Sequence, residues 1–171
     1  AGSDVRMWTR RPDIASEVND EHRNEQYQPG ITLPSALTAT TDARYALEGV
    51  DIIALATPAQ HLRESLTAWL PFIPSGAVLV SLMKGVELGT TKRMSEVIAE
   101  VTGANASKIA VVSGPNLARE IAEHQPTATT VSCADQDAAM LVQEACTTEY
   151  FRPYWTTDVV GTEIGGAVKN V

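Results

Sequence analysis

Long apolar runs, a cysteine framework and a surplus of positive charge are all missing from this sequence. No apolar stretch is longer than that of residues 52–56, far too short to span a bilayer as a helix, which takes about 20 residues. Cys133 and Cys146 stand alone, without the spacing of a zinc site or a disulfide framework. The net charge of −8 opposes generic binding to nucleic acid or anionic membrane, so an anionic ligand needs a local basic pocket. No charged-then-apolar leader opens the chain, and a soluble, cytoplasmic protein is the expectation. Internal repeats, low-complexity tracts and linkers are absent as well.

What remains is the pattern of an alternating α/β chain. At 171 residues, 44% of them hydrophobic, the chain can bury a substantial core. Strands are expected at residues 4–8, 37–40, 50–56, 77–81, 108–112, 127–133 and 150–155. The runs at 50–56 and 77–81 are almost unbroken in apolar character, as in strands covered on both faces. Between them fall helices: one capped by Asp13 through about Asn19, one capped by Asp42, and one reaching Trp69 with Leu62, Leu66 and Leu70 on one face. Further helices are expected at 91–101, 116–123 and 135–146, and a last one opens at Asp158. Strands alternating with helices through short loops imply a parallel sheet. In such sheets ligands sit beyond the carboxyl ends of the strands.

The residues leaving those ends carry the candidate chemistry. Arg10 and Arg11 follow the first strand, where arginine accommodates the 2′-phosphate of a dinucleotide, or else forms a solvated basic loop. Lys84 leaves the buried 77–81 strand beside Gly85 and can meet a phosphate or a carbonyl oxygen, or simply lie on the surface. Ser81 and Lys84 also match S-x-x-K, a serine-hydrolase signature, but neither S-D-N nor K-T-G accompanies it. Gly114, Pro115 and Asn116 are expected to open a helix whose free N–H groups attract anions. His22, His61 and His124 lack partners at ligand spacing and read as solvent-facing. In the last helix Ile164, Val168 and Val171 share one face, and Gly161, Gly165 and Gly166 each cost about 1 kcal/mol against alanine. A helix that tolerates this lets a backbone or a ligand come close. Lys169 follows beside apolar surface, where a lysine pKa can fall toward neutrality and suit proton transfer.

The segments DVRMWTRR (4–11), YQPGITLP (27–34), SLMKG (81–85), SGPNLAREIA (113–122) and GTEIGGAVKNV (161–171), in this order and spacing, resemble the glycerol-3-phosphate dehydrogenases in their bacterial NAD(P)-linked form. The resemblance runs along essentially the whole chain. It implies reduction of dihydroxyacetone phosphate to sn-glycerol 3-phosphate with NAD or NADP as cofactor, feeding glycerophospholipid synthesis. It implies Lys169 as the proton donor and acceptor, with Lys84 touching both cofactor and substrate. Gly114, Asn116 and Asn170 fall at substrate positions, and Arg10, Arg11 and Ala118 at cofactor positions. Position 116 is more usually serine or threonine in the family, and position 117 phenylalanine. The resemblance leaves room for a homodimer of the full-length enzyme.

The fold so implied is α/β: a Rossmann-like, doubly wound, mostly parallel sheet lacking its first strand and the G-x-G-x-x-G turn that cradles pyrophosphate. Residues 1–157 read as an incomplete dinucleotide-binding domain and 158–171 as the start of a helical substrate domain. The chain is therefore expected to be an internal fragment, inactive in isolation, with two unpaired strand edges where the central strand is missing. Two alternatives stand beside this reading: another hydroxyacid or ketopantoate-type reductase, and a non-catalytic module that has lost its glycine loop.

Overall fold

The structure is a computed structural model and describes residues 3–168. Its elements alternate along the chain: β1 (Val5–Trp8), α1 (Pro12–Ser16), β2 (Leu37–Thr40), α2 (Ala43–Leu47), β3 (Ile52–Leu55), α3 (Leu62–Trp69), β4 (Val78–Ser81), α4 (Met94–Thr102), β5 (Ile109–Ser113), α5 (Ala118–Ala122), β6 (Thr127–Cys133), α6 (Gln136–Cys146), β7 (Phe151–Thr156) and α7 (Val159–Val168). β1 and β2 form a parallel pair, and β3-β4-β5-β6-β7 form a second sheet in that order. Every pair in the larger sheet is parallel except β5–β6, which is antiparallel. The mostly parallel sheet read from the sequence is thus present in two parts. No ladder joins the β1–β2 pair to the larger sheet among the described residues.

β4 is buried at every position, as its apolar run requires, and its side chains alternate between two cores. Leu79 faces a core shared with Leu55, Leu62, Leu66, Val97 and Ile98, which seats α3 and α4 on one face. Val78 and Val80 face Ala110, Val131, Ala139 and Val142, which seats α6 on the other. The β1–β2 pair has its own small core of Ile14, Ala15, Val18 and Ala39. There the Asn19 amide both donates to Ala39 O, at 2.9 Å, and accepts from Ala39 N, at 2.7 Å, so a side chain serves β2 as a neighbouring strand would. Trp8 meets Trp69 edge to face at 4.9 Å between ring centroids, which joins the small unit to α3.

Several elements depart from the sequence expectation. Pro12 takes the first turn of α1, so Arg11 rather than Asp13 precedes the helix. That helix gives way after Ser16 to a wide π-type turn, Glu17–Glu21. His22 ends this turn in a left-handed conformation (φ 51°) and is half-buried rather than solvent-facing. α4 begins at Met94, because Gly89 and Thr91 have positive φ and form a turn where the helix was expected. Leu70 closes α3 on its exposed side, unlike Leu62 and Leu66.

Candidate active site

The carboxyl ends of β3, β4 and β5 lie side by side, because their registers align Leu55 with Ser81 and Ser81 with Val111. Two of the sequence candidates meet there. Lys84 Nζ donates to the carbonyl oxygen of Gly114 at 3.1 Å, which sets a cation from the β4 loop against the β5 loop. Gly114 has to be glycine. A Cβ at that position would stand 3.1 Å from Thr129 Cα, 2.9 Å from Thr129 Oγ1 and 2.8 Å from Asn116 Oδ1. The Thr129 hydroxyl oxygen is buried beside it and has no hydrogen-bond partner.

The segment carrying Lys84 is built to hold its shape. Leu82 N donates to Leu55 O at 3.0 Å and prolongs the pairing past β4. Gly85 (φ 111°) then turns the chain, and Val86 returns to pair with Arg93. Gln60 grips this loop twice, donating to Val86 O and accepting from Leu88 N, both at 2.9 Å. Below it Arg63 forks onto Glu87 at 2.8 and 2.9 Å and reaches Glu100, which also pairs with Lys92. The Arg63 guanidinium, with help from the Thr90 hydroxyl, holds the Glu87 carboxyl down to about 2. Glu100 is likewise lowered, by Lys92 first and then Arg63.

α7 forms the third wall. Asp158 caps it as the sequence suggests: its carboxylate accepts from Gly161 N at 2.8 Å, and a Cβ on Gly161 would collide with that carboxylate. Gly166 lies against β5, where an added Cβ would collide with Ser113 Oγ and come within 3.7 Å of Lys84 Cγ. Gly165 has nothing within 4 Å of that position. Between α7 and the strand ends opens a cleft of about 510 Å³, lined by Ser113, Gly114, Thr130, Thr156, Asp158 and Gly165 among others.

Other candidates are placed differently. Asn116 neither caps nor opens a helix; its amide donates to Ala128 O at 2.7 Å, and α5 starts two residues later at Ala118. α5 has only five residues, so the expected anion site at a helix opening on Gly114 is not formed. Arg11 is committed to Asp13 and Gln26 beside its own strand, while Arg10 is exposed. Ser81 is fully buried, and its hydroxyl accepts from Met83 N at 3.4 Å, so it is no nucleophile. The apolar stripe expected to seat the last helix faces outward: Ile164 and Val168 are exposed, while Glu163 and Gly166 face inward. Hydrogen bonding and close backbone approach set the inner side of this helix, and apolar periodicity does not report either. Lys169 and Asn170 lie outside the described residues. Gln60, Arg93, Ser95 and Glu163 are the residues that sequence reasoning misses. The signal for Glu163 is a lone charged side chain within a helix otherwise of uncharged, mostly apolar residues.

The comparisons with known proteins agree with this architecture. Residues 1–139 match the family model described as NAD-dependent glycerol-3-phosphate dehydrogenase N-terminus. The chain is 60% identical over 171 residues to glycerol-3-phosphate dehydrogenase [NAD(P)+] of Corynebacterium glutamicum, covering all of this chain and 52% of that protein. It is 57% identical over the same span to the Streptomyces griseus protein of that name, covering 51% of it. The crystal structure of a Coxiella burnetii glycerol-3-phosphate dehydrogenase superposes with a TM-score of 0.90 at 32% identity, over 99% of this chain and 51% of that one. The chain thus spans about half the length of the relatives it matches.

Proposed function

The chain belongs to the NAD-dependent glycerol-3-phosphate dehydrogenase family, and we propose that it carries part of the active site that interconverts dihydroxyacetone phosphate and sn-glycerol 3-phosphate. The observation that supports this most is the contact of Lys84 Nζ with Gly114 O. It gathers a cation and a glycine-lined loop at the strand ends of a chain whose net charge is −8. The residues present fit an anionic, flat-ringed cofactor and a small phosphate ester. The Lys84 ammonium group is bonded to Gly114, which lines the cleft, and Gly165 leaves its side of the cleft open. The cofactor in this reading is NAD or NADP, with Arg10, Arg11, Lys84 and Ala118 on its side. The same reading assigns Lys84, Gly114, Asn116 and Asn170 to the substrate.

When bound, the reduced nicotinamide supplies the hydride. Negative charge then grows on the substrate's carbonyl oxygen. Lys169 hydrogen-bonds that oxygen and passes it a proton, and Lys84 adds positive potential beside it. Preorganised donors of this kind contribute about 3 kcal/mol each to transition-state stabilisation. In this reading residues 1–157 are an incomplete part of the dinucleotide-binding domain, residues 158–171 belong to the start of the helical substrate domain, and the product enters glycerophospholipid synthesis in the cytoplasm. Among the described residues no helix is long and apolar enough to cross a membrane. The test is oxidation of NADH or NADPH by the full-length protein with dihydroxyacetone phosphate. Lys84→Ala is expected to lower kcat/KM by about 100-fold; a loss under about two-fold would remove Lys84 from the site.

A further inference from the structure

Glu163 is the least expected side chain on α7. It is 8% exposed, while Val160, Ile164 and Val168 of the same helix are 48%, 50% and 57% exposed. A buried carboxylate is unfavourable unless its oxygens are satisfied, and here both are. Oε1 accepts from the backbone N–H of Ser95 at 2.9 Å. Oε2 accepts from Arg93 Nη1 at 2.7 Å and from the Ser95 hydroxyl. Ser95 lies in the first turn of α4, whose free N–H groups favour a negative charge. Arg93 has a second task, since it is the residue that pairs with Val86 and so closes the loop carrying Lys84.

An apolar contact would hold α7 without fixing its rotation. A helix turns about 100° per residue, and only directional bonds specify which side faces in. Glu163 supplies those bonds at one point, and Gly166, one turn on, sits over Ser113 and the Lys84 side chain at another. The two contacts fall on opposite ends of one device, the loop from Lys84 to Arg93.

On the reading of the active site given above, we propose that Glu163 is a positioning residue. Through Arg93 and Ser95 it fastens α7 to the loop carrying Lys84, and so fixes the rotation of that helix against the cleft.

The test uses the full-length protein and Glu163→Gln, which keeps the shape but points an NH₂ group at either Ser95 N–H or Arg93. The expected result is a kcat lowered about ten-fold or more, as small misplacements of reacting groups produce. Glu163→Asp should recover part of it. Arg93→Gln should lower kcat similarly, and the double variant little further, because both act through one contact. Hydrogen exchange should quicken together in 84–93 and 159–168 and stay unchanged in β4 and β5. A kcat within about two-fold of the parent overturns the proposal, as do additive losses in the double variant. Faster exchange in α7 alone, throughout the chain or nowhere also overturns it. If the parent shows no turnover, the function proposed above fails, and the exchange comparison still decides the role of Glu163.

Discussion

Gly165 and Gly166 are neighbours in one helix and make opposite demands. A methyl group on Gly166 would collide with the hydroxyl of Ser113, a residue only 8% exposed. Gly166→Ala is expected to cost about 1–3 kcal/mol of stability, the usual range for overpacking. Adding Ser113→Ala should recover most of it, because the colliding oxygen is then gone. Gly165→Ala meets nothing within 4 Å and should instead stabilise by about 0.4–1 kcal/mol, while narrowing the cleft it borders. Urea denaturation of the three variants checks both signs, and equal effects at 165 and 166 would contradict the packing described. The need for glycine here is legible in the sequence as a cost without a visible return; which glycine meets which neighbour is not. Asp42 and Asp158 are legible too, since a cap acts within three residues. The helix expected to open at Asn116 is misread because the partner of that side chain, Ala128 O, belongs to a strand twelve residues on.

At the scale of elements, the loop from Ser81 to Met94 is the part most dependent on charge. Glu87 is paired with Arg63, and its folded carboxyl is held at about 2 against an ordinary 4.5. The ionised form is therefore favoured by folding, and the stability it adds is fully present above about 4.5 and lost as pH falls toward 2. Glu87→Gln should lower Tm most at neutral pH, and parent and variant should converge as the pH approaches the folded value. An equal Tm loss across that range would mean that Glu87 acts through packing rather than charge. The loop itself escapes sequence reading. Its turns rest on the positive φ of Gly85, Gly89 and Thr91, and its bracing comes from Gln60 and Arg63 on α3 and the turn before it. The strands are easier: β4 is buried on both faces and β6 is mostly buried, and their composition says so. The outward stripe on α7 shows the limit of periodicity. Val160, Ile164 and Val168 repeat at helical spacing, yet the side that packs is the one bearing Glu163 and Gly166.

For the whole molecule, the order of strands decides where chemistry can occur. Parallel β3, β4 and β5 bring three loops to one edge, and the antiparallel turn into β6 places Thr129 and Thr130 beside Gly114. The separate β1–β2 pair follows from the same topology, since no ladder reaches it from the larger sheet among the described residues. The alternation of strands and helices makes this class of fold readable from sequence. The single antiparallel pairing is not, because β5 and β6 look alike in composition whichever way they run. In the proposed function this chain carries two lysines of a glycerol-3-phosphate dehydrogenase active site, Lys84 and Lys169. The most direct test of that function is NAD(P)H oxidation with dihydroxyacetone phosphate by the full-length protein and its Lys169→Ala variant. The expected result is rapid oxidation by the parent and a loss of about 100-fold or more in the variant. A folded, cofactor-binding parent that leaves dihydroxyacetone phosphate untouched, or a variant that turns it over as fast as the parent, would contradict it.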